Sequence, residues 1–364
     1  MTTPAIWAKD LAKEFNGKTV VNDLDLDIPE GTIYGFIGPS GSGKTTSLRM
    51  LTGVTERTRG EVKLLGRAPE HLRRKDREAI GYTPQLGVLY PHLTIMDNLR
   101  FMANLYGMAF PNRRIKEVLA QLDLSDAANR QLKEASGGMQ RRVALAGAIL
   151  HNPRLLFLDE PSAGLDPVLR REVWKQFHGL RAEGRTLFVT TQIVSEAARC
   201  DQVGLLVDGQ IVAEDTPDGL RIQAFGGHVI DLYLTQPASP DLLTALHAHP
   251  LVNTLAQLPT HAKAVRVTVD KVETDIPILR AVIADYGNEL ILSERYLAPF
   301  DDVFVALLEA HRASQAPKEL EATASDDAPL LTPTKTPIPV PSPPDMDLGT
   351  TIDSLDPAGP YGKH

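Results

Sequence analysis

The first residues whose types and spacing could do chemistry form a loop, GPSGSGKT, from Gly38 to Thr45. The loop matches the phosphate-binding pattern G-x-x-x-x-G-K-[ST], and it joins a predicted strand (IYGFI) to a predicted helix (TTSLRMLTGV). Glycines let backbone N–H groups turn towards phosphate oxygens, and a helix amino terminus adds partial positive charge. Lys44 could reach the β and γ phosphates, and the Thr45 hydroxyl could ligate Mg²⁺. A glycine-rich turn without a ligand is the alternative. The predicted nucleotide-binding residues here are Gly38, Pro39, Ser40, Gly41, Ser42, Gly43, Lys44, Thr45 and Thr46.

An acidic pair, Asp159 and Glu160, follows the apolar run RLLFL. We expect the pair at the exposed end of a buried strand, where ligands of parallel sheets gather. Asp159 suits the coordination shell of Mg²⁺, and Glu160 suits an attacking water. A helix-capping pair is the alternative for these two residues taken alone. Together with the phosphate loop, the pair predicts a nucleoside triphosphatase.

The elements that must position these groups form an α/β pattern over residues 1–225. IYGFIG, RLLFLDE and TLFVTT are continuous apolar runs that end in polar residues, which predicts buried parallel strands. No such run occurs between Leu86 and Leu150, so a helical insertion is predicted over about 86–150.

After Gly226-Gly227 the pattern changes to β-α-β-β-α-β, followed by a closing helix, FDDVFVALLEAHR. This order predicts a ferredoxin-like accessory domain over 226–313. Ten of the 27 prolines lie in residues 314–364, which predicts a disordered, acidic tail. A polyproline II docking segment is the alternative for the tail.

Charge and cysteine content limit the partners and the compartment. The net charge is −8, of which the tail carries −5 and the other 313 residues −3. Without a basic surface, nucleic acid is not expected as a partner. The single cysteine, Cys200, excludes an internal disulfide and suggests the cytosol. No apolar signal-peptide core and no membrane-spanning run of about 18–20 residues is present.

Three further motifs resemble those of ABC-type ATPases. ASGGMQRRVALAGAIL looks like the family signature, SAGLDP looks like its D-loop, and YTPQ places Gln85 at its Q-loop. The resemblance extends over about residues 5–225, with every motif in the family's order. It implies a P-loop NTPase fold with a RecA-like core, a helical subdomain and an amino-terminal antiparallel β-subdomain. It also implies ATP as the nucleotide.

The resemblance implies roles for individual residues within one chain. Lys44 and Thr45 would bind phosphate and Mg²⁺, with Asp159 in the metal shell. Glu160 would be the general base. Gln85 would contact the metal or the water and relay the state of the site to a membrane partner. Phe15 is at the position where the family stacks an aromatic ring on adenine, and a core phenylalanine is the alternative.

Other implied roles need a second chain, because this chain has one phosphate loop and one signature. Ser136, Gly137 and Gly138 would open a helix that grips the γ-phosphate held by the other subunit. Asp166 would couple the two sites. The partner would be a second copy or a paralogue. Ala135 and Met139 depart from the family's usual flanking residues, whereas the serine and glycines are kept.

Gln192 departs from the family pattern more than Ala135 and Met139 do, because most of the family has a histidine there that contacts the γ-phosphate. A glutamine amide can donate a hydrogen bond but carries no charge at neutral pH. The drug-exporting branch that resembles daunorubicin-resistance ATPases similarly carries Thr-Thr-Gln. Gln192 is therefore predicted to act in catalysis, and a degenerate position in an inactive subunit is the alternative.

The leading functional hypothesis is the ATP-hydrolysing motor subunit of an ABC-2-type exporter for a drug, lipid or other amphiphile. The permease would be a separate polypeptide that holds this chain on the inner face of the cell membrane. Asp302, Val303 and Phe304 resemble a D-V-F motif of such exporters, although an ordinary amphipathic helix would explain them too. An importer, a soluble ABC protein acting on ribosomes or DNA, and a P-loop GTPase or small-molecule kinase are the alternatives.

Overall fold

The computed structural model describes residues 3–85, 89–259 and 261–315. The predicted tail therefore lies outside the described residues, apart from residues 314 and 315, which end the last helix. The strands are β1 (Ile6–Phe15), β2 (Lys18–Ile28), β3 (Ile33–Ile37), β4 (Arg59–Leu64), β5 (Ile80–Thr83), β6 (Leu155–Asp159), β7 (Thr186–Thr191), β8 (Gln202–Val207), β9 (Gln210–Asp215), β10 (His228–Leu234), β11 (Thr254–Gln257), β12 (Ala264–Val269) and β13 (Leu290–Arg295). The helices are α1 (Lys44–Leu51), α2 (Arg74–Arg77), α3 (Ile95–Leu105), α4 (Asn112–Gln121), α5 (Gly137–Ile149), α6 (Pro167–Ala182), α7 (Pro217–Phe225), α8 (Pro240–Ala248), α9 (Val272–Asp285) and α10 (Phe300–Gln315).

The central sheet has six strands in the order β5-β6-β7-β3-β8-β9. All neighbours are parallel except β8 and β9. The three predicted strands β3, β6 and β7 are adjacent, and all their residues are buried, which confirms the parallel-strand prediction. Because they run in the same direction, their carboxyl ends meet at one edge of the sheet. The sequence analysis did not assign β8 and β9.

Two smaller units flank the central sheet. A three-stranded antiparallel sheet in the order β2-β1-β4 forms the amino-terminal β-subdomain. Residues 89–150 contain helices α3 to α5 and no strand among the residues described there. Ser136 caps α5, because its hydroxyl accepts a hydrogen bond from the backbone N–H of Met139 at 3.2 Å.

Residues after the Gly226-Gly227 break form an antiparallel sheet in the order β11-β12-β10-β13. One face of β10 and β12 packs on α8 and α9 around a separate core that includes Ile230, Val267 and Leu279. This strand order is the one that a split βαβ unit requires.

The closing helix α10 packs away from that separate core. Val303 and Leu307 share a core with residues of α7 and with Ala197. Helix α7 and Ala197 both belong to the first 225 residues. Arg221 of α7 donates to the carbonyl of Ala298 at 3.2 Å and lies 4.4 Å from the ring centroid of Phe300. The helix that the sequence groups with the accessory region therefore packs on the preceding α/β unit.

A buried ion pair links β10 and β12. Arg266 donates to both carboxylate oxygens of Asp231, at 2.6 and 2.8 Å, and stacks on the Tyr296 ring. Asp231→Ala would leave a buried guanidinium without its counter-charge. We expect this change to lower the free energy of unfolding by about 3–5 kcal/mol in denaturant titrations.

The matched control is Glu30→Ala, which removes the bidentate partner of Arg154 at an exposed site. That loss should cost less than about 1 kcal/mol. Equal effects of the two substitutions would contradict the importance of burial for the Asp231 pair.

Candidate nucleotide site

The phosphate loop lies between the carboxyl end of β3 and the start of α1. Gly41 and Gly43 adopt φ values of 81° and 105°, which favour glycine. A Cβ at Gly38 would lie 2.1 Å from the carbonyl oxygen of Leu206, so only glycine fits against β8. These glycines give the loop the backbone path that the sequence pattern predicts.

Lys44 is buried in the loop, and its ammonium donates to the carbonyls of Gly38 and Pro39, both at 2.9 Å. It also lies 3.6 Å from Glu160 Oε1. Burial lowers the pKa of Lys44, and the nearby Glu160 carboxylate opposes that shift. The ammonium is thus held at the centre of the loop, within reach of an acidic group.

The acidic pair lies at the carboxyl end of β6. The Thr45 hydroxyl donates to Asp159 Oδ1 at 3.2 Å, and Gln85 Nε2 donates to Glu160 Oε2 at 2.8 Å. The expectation of an exposed strand end is wrong for these side chains, since Asp159 and Glu160 are only 1% and 7% exposed. Lys44, Thr45 and Gln85 lie against the two carboxylates.

Two residues outside the predicted set hold this cluster together. Thr190, paired with Asp159 in the parallel register of β6 and β7, donates to Asp159 Oδ1 at 2.7 Å. Arg141 of α5 donates to the backbone carbonyl of Gln85 at 2.9 Å. The polar end of TLFVTT is a signal for Thr190. Arg141 lies within the stretch ASGGMQRRVALAGAIL, but nothing in that pattern indicates its contact with Gln85.

Two of the predicted site side chains are open to solvent. Phe15 is 45% exposed at the end of β1, with the Lys13 ammonium 4.8 Å from its ring centroid, so the alternative of a core phenylalanine is wrong. Gln192 directly follows β7, is exposed, and makes no side-chain hydrogen bond to the described residues. Both side chains are available to a ligand.

Ser136 of the signature and Asp166 of the D-loop are not hydrogen-bonded to this cluster. No hydrogen bond or ion pair between described residues connects Ser136 or Asp166 to Lys44, Asp159 or Glu160. Ser136 and Gly137 are exposed at the start of α5, and Gly138 is buried against Leu169. Asp166 caps α6 by accepting from the N–H groups of Val168 and Leu169.

The polar side chains of the loop and of the end of β6 fit a nucleotide phosphate group and Mg²⁺. Ser42 Oγ is buried within the loop without a hydrogen-bond partner among the described residues. The Thr45 hydroxyl and the Asp159 carboxylate lie side by side, and hard oxygen ligands of this kind suit Mg²⁺. With the phosphate loop and the parallel sheet, this arrangement defines a P-loop nucleoside triphosphatase.

Comparison with known proteins identifies the family. Residues 21–163 match the model of the ABC transporter family. The chain is 36% identical over 253 residues to Nod factor export ATP-binding protein I of Burkholderia lata, covering 68% of this chain and 83% of that protein. It is also 36% identical over 221 residues to the probable multidrug ABC transporter ATP-binding protein YbhF of Escherichia coli, covering 60% of this chain and 38% of that protein.

Solved structures agree with the assignment. An ATP-binding subunit of an ABC transporter superposes with a TM-score of 0.55 at 29% identity, covering 60% of this chain and 92% of that one. A dimeric ATP-binding cassette in a post-hydrolysis state, bound to ADP and phosphate, gives 0.53 at 27% identity, covering 58% and 98%.

The chain therefore belongs to the family of ABC transporter ATP-binding proteins, which hydrolyse ATP to power transport. Among the described residues, no helix is long and apolar enough to cross a membrane.

Proposed function

We propose that this chain is the ATP-hydrolysing motor of an exporter and that it acts on a separate membrane permease. The observation that carries the proposal is the cluster in which Lys44, Thr45 and Gln85 contact the two carboxylates Asp159 and Glu160. The likeness to a Nod factor export protein over 83% of that protein's length supports the direction of transport.

Each residue of the cluster has a proposed role in ATP hydrolysis. The nine residues of Gly38–Thr46 bind the phosphates. The Lys44 ammonium then donates to phosphate oxygens in place of its present backbone carbonyl acceptors. Thr45, Gln85 and Asp159 supply oxygen ligands for Mg²⁺, which when bound would neutralise phosphate charge. Phe15 stacks on adenine.

Glu160 is the proposed general base. Its carboxylate lies 3.6 Å from the Lys44 ammonium, at the carboxyl end of β6 beside the phosphate loop. Gln85 donates to the other carboxylate oxygen and so orients the base. The exposed amide of Gln192 donates to the γ-phosphate from the adjacent strand end. Charge that develops during phosphoryl transfer is stabilised mainly by such positioned donors.

A second copy of the chain, or a paralogue, completes the site. Ser136 and Gly137 are exposed at a helix start, where neither makes a hydrogen bond to a described phosphate-loop residue, and they suit a γ-phosphate held by the partner. Asp166 couples the two sites. The likeness to a dimeric cassette bound to ADP and phosphate supports this arrangement.

The same proposal extends to the branch of the exporter family, to the permease and to the location of the chain in the cell. We infer an exporter of the ABC-2, daunorubicin-resistance-like branch, which carries a drug, lipid or other amphiphile. The chain would lie on the cytoplasmic face of the membrane, held there by the permease. Nucleic acid is not among the proposed partners.

The test is co-expression of the chain with the membrane protein encoded beside it, followed by reconstitution in lipid vesicles. The two proteins should co-purify, and ATP should drive uptake of a fluorescent amphiphile into inside-out vesicles. Glu160→Gln in the same complex should abolish uptake. Uptake without ATP, or no co-purification with any membrane protein, would contradict the proposal.

Gln192→His tests the glutamine that stands after β7 where most of the family has a histidine. We expect hydrolysis to be retained and kcat to rise by up to about tenfold, because an imidazolium stabilises phosphate charge more strongly than an amide does. The gain should grow as the pH falls through about 6.5, the usual pKa of histidine.

Gln257→His, at the exposed end of β11 in the separate four-stranded sheet, is the control for an added histidine and should leave kcat unchanged. Complete loss of hydrolysis in Gln192→His would mean that the site requires the amide.

A further inference from the structure

Thr190 is a fully buried residue near the end of β7, and its hydroxyl lies between the two acidic residues. The hydroxyl donates to Asp159 Oδ1 at 2.7 Å and accepts from the backbone N–H of Glu160 at 3.0 Å. A hydroxyl has one proton, so these two bonds fix its orientation. One side chain therefore contacts both residues of the acidic pair.

The backbone of Glu160 needs such support. Its φ is +47°, in the left-handed region that is unfavourable for a residue with a Cβ. Its N–H donates both to the hydroxyl and to the carbonyl oxygen of Thr190, at 3.0 and 3.1 Å. Unfavourable backbone conformations persist where the surroundings hold them. Both acceptors that hold this N–H belong to Thr190.

The orientation of Asp159 depends on the same hydroxyl. Oδ1 accepts from Thr190 at 2.7 Å and from Thr45 at 3.2 Å. Thr45 is also a proposed Mg²⁺ ligand, so its hydroxyl has a second task. Thr190 has no such task, and its shorter bond fixes the carboxylate independently of the phosphate loop.

We propose that Thr190 is a positioning residue for ATP hydrolysis, which aims the Asp159 carboxylate at the metal position and holds Glu160 in its left-handed conformation. The inference rests on the roles proposed above for Asp159 and Glu160. It adds a hydroxyl on a neighbouring strand that sets the direction of both groups without contacting substrate.

Thr190→Val removes the hydroxyl and keeps the shape of the side chain. We expect kcat to fall by about 10–100-fold, the usual cost of losing a group that orients a metal ligand. The KM for ATP should stay within about threefold, because the phosphate loop is untouched. The Mg²⁺ concentration that gives half-maximal activity should rise by at least about threefold.

A binding measurement gives a readout that needs no turnover. A non-hydrolysable ATP analogue should raise the melting temperature of the wild-type protein, and Mg²⁺ should increase the shift. In Thr190→Val the Mg²⁺-dependent part of the shift should shrink, whereas the shift without Mg²⁺ should match wild type.

Two variants serve as controls. Thr190→Ser restores the hydroxyl and should recover kcat to within about threefold of wild type, since serine makes the same two hydrogen bonds. Thr186→Val makes the same change at the other end of β7, where a buried hydroxyl accepts from the N–H of Gly31 at 2.9 Å. It should leave kcat and the Mg²⁺ dependence unchanged. If Thr190→Val does not fold, Thr190→Ala replaces it in every measurement.

Wild-type kcat and Mg²⁺ dependence in Thr190→Val would overturn the inference. So would a Thr190→Ser variant as impaired as Thr190→Val, because restoring the hydroxyl would then fail to restore kcat. Glu160→Gln is measured in parallel. If it loses hydrolysis while Thr190→Val keeps it, only the role of Thr190 fails. If Glu160→Gln keeps wild-type kcat, the proposed role of Glu160 fails, and this inference with it.

Discussion

Glu160→Gln is expected to lower kcat for ATP hydrolysis by at least about 100-fold, the lower range for loss of a general base. Glutamine has nearly the same shape as glutamate, so the contact with Gln85 can be kept. It cannot accept a proton from water at neutral pH. Phosphate release by the purified protein measures the effect.

ATP binding should survive this change, because the Lys44 ammonium is also held by the carbonyls of Gly38 and Pro39. Titration with a fluorescent ATP analogue should give a dissociation constant within about threefold of wild type. Glu183→Gln is the matched control, since Glu183 follows α6 and contacts Arg185 and Gln121 outside the site. Unchanged turnover in Glu160→Gln would remove Glu160 from the role of base.

Ser136→Arg and Lys44→Ala should each abolish hydrolysis, yet a mixture of the two variants should regain it. Ser136→Arg would block the proposed grip on the partner's nucleotide, and Lys44→Ala would remove the proposed phosphate anchor. In a mixed dimer, the intact phosphate loop of one chain faces the intact signature of the other. Random pairing of equal amounts gives about one quarter of the wild-type number of intact sites.

The activity of the mixture is measured after denaturation and joint refolding, or after co-expression with two different tags. Lys133→Ala mixed with Lys44→Ala is the control, since Lys133 lies near the signature but has no proposed contact with nucleotide. No recovery in the Ser136→Arg mixture, beside recovery in the control mixture, would contradict a site shared between two chains.

The parts of the site that the sequence predicts are those in which local pattern and chemistry coincide. The phosphate loop needs glycines at positive φ and a lysine at a fixed spacing, so GPSGSGKT predicts both the backbone and the ligand. The buried strands β3, β6 and β7 follow from continuous apolar runs, because strands covered on both faces need such runs.

The contacts that the sequence could not predict join distant segments. Thr190 and Asp159 are 31 residues apart and meet only through the pairing of β6 with β7. Arg141 reaches the carbonyl of Gln85 across 56 residues, and a backbone acceptor leaves no trace in sequence. The burial of Asp159 and Glu160 was likewise missed, because it depends on side chains that arrive from α1 and from the segment after β5.

The packing of α10 is a third case of this kind. Its apolar stripe predicts an amphipathic helix, and the stripe alone does not say which core it joins. In the structure, Val303 and Leu307 join the core that contains Ala197, within the short helix Val194–Arg199 that follows Gln192. The last described helix therefore packs on the short helix that follows the glutamine.

Light scattering of Glu160→Gln, with and without ATP and Mg²⁺, tests most directly whether a second chain completes the ATP site. It measures the mass of the protein in solution. The variant should bind ATP without hydrolysing it, so nucleotide should remain between two chains. We predict the mass of one chain without ATP and twice that mass with ATP. When Lys44→Ala is added to the same chain, the mass should stay that of one chain in the presence of ATP. A variant that binds ATP and keeps the mass of a single chain at all protein concentrations would contradict the account.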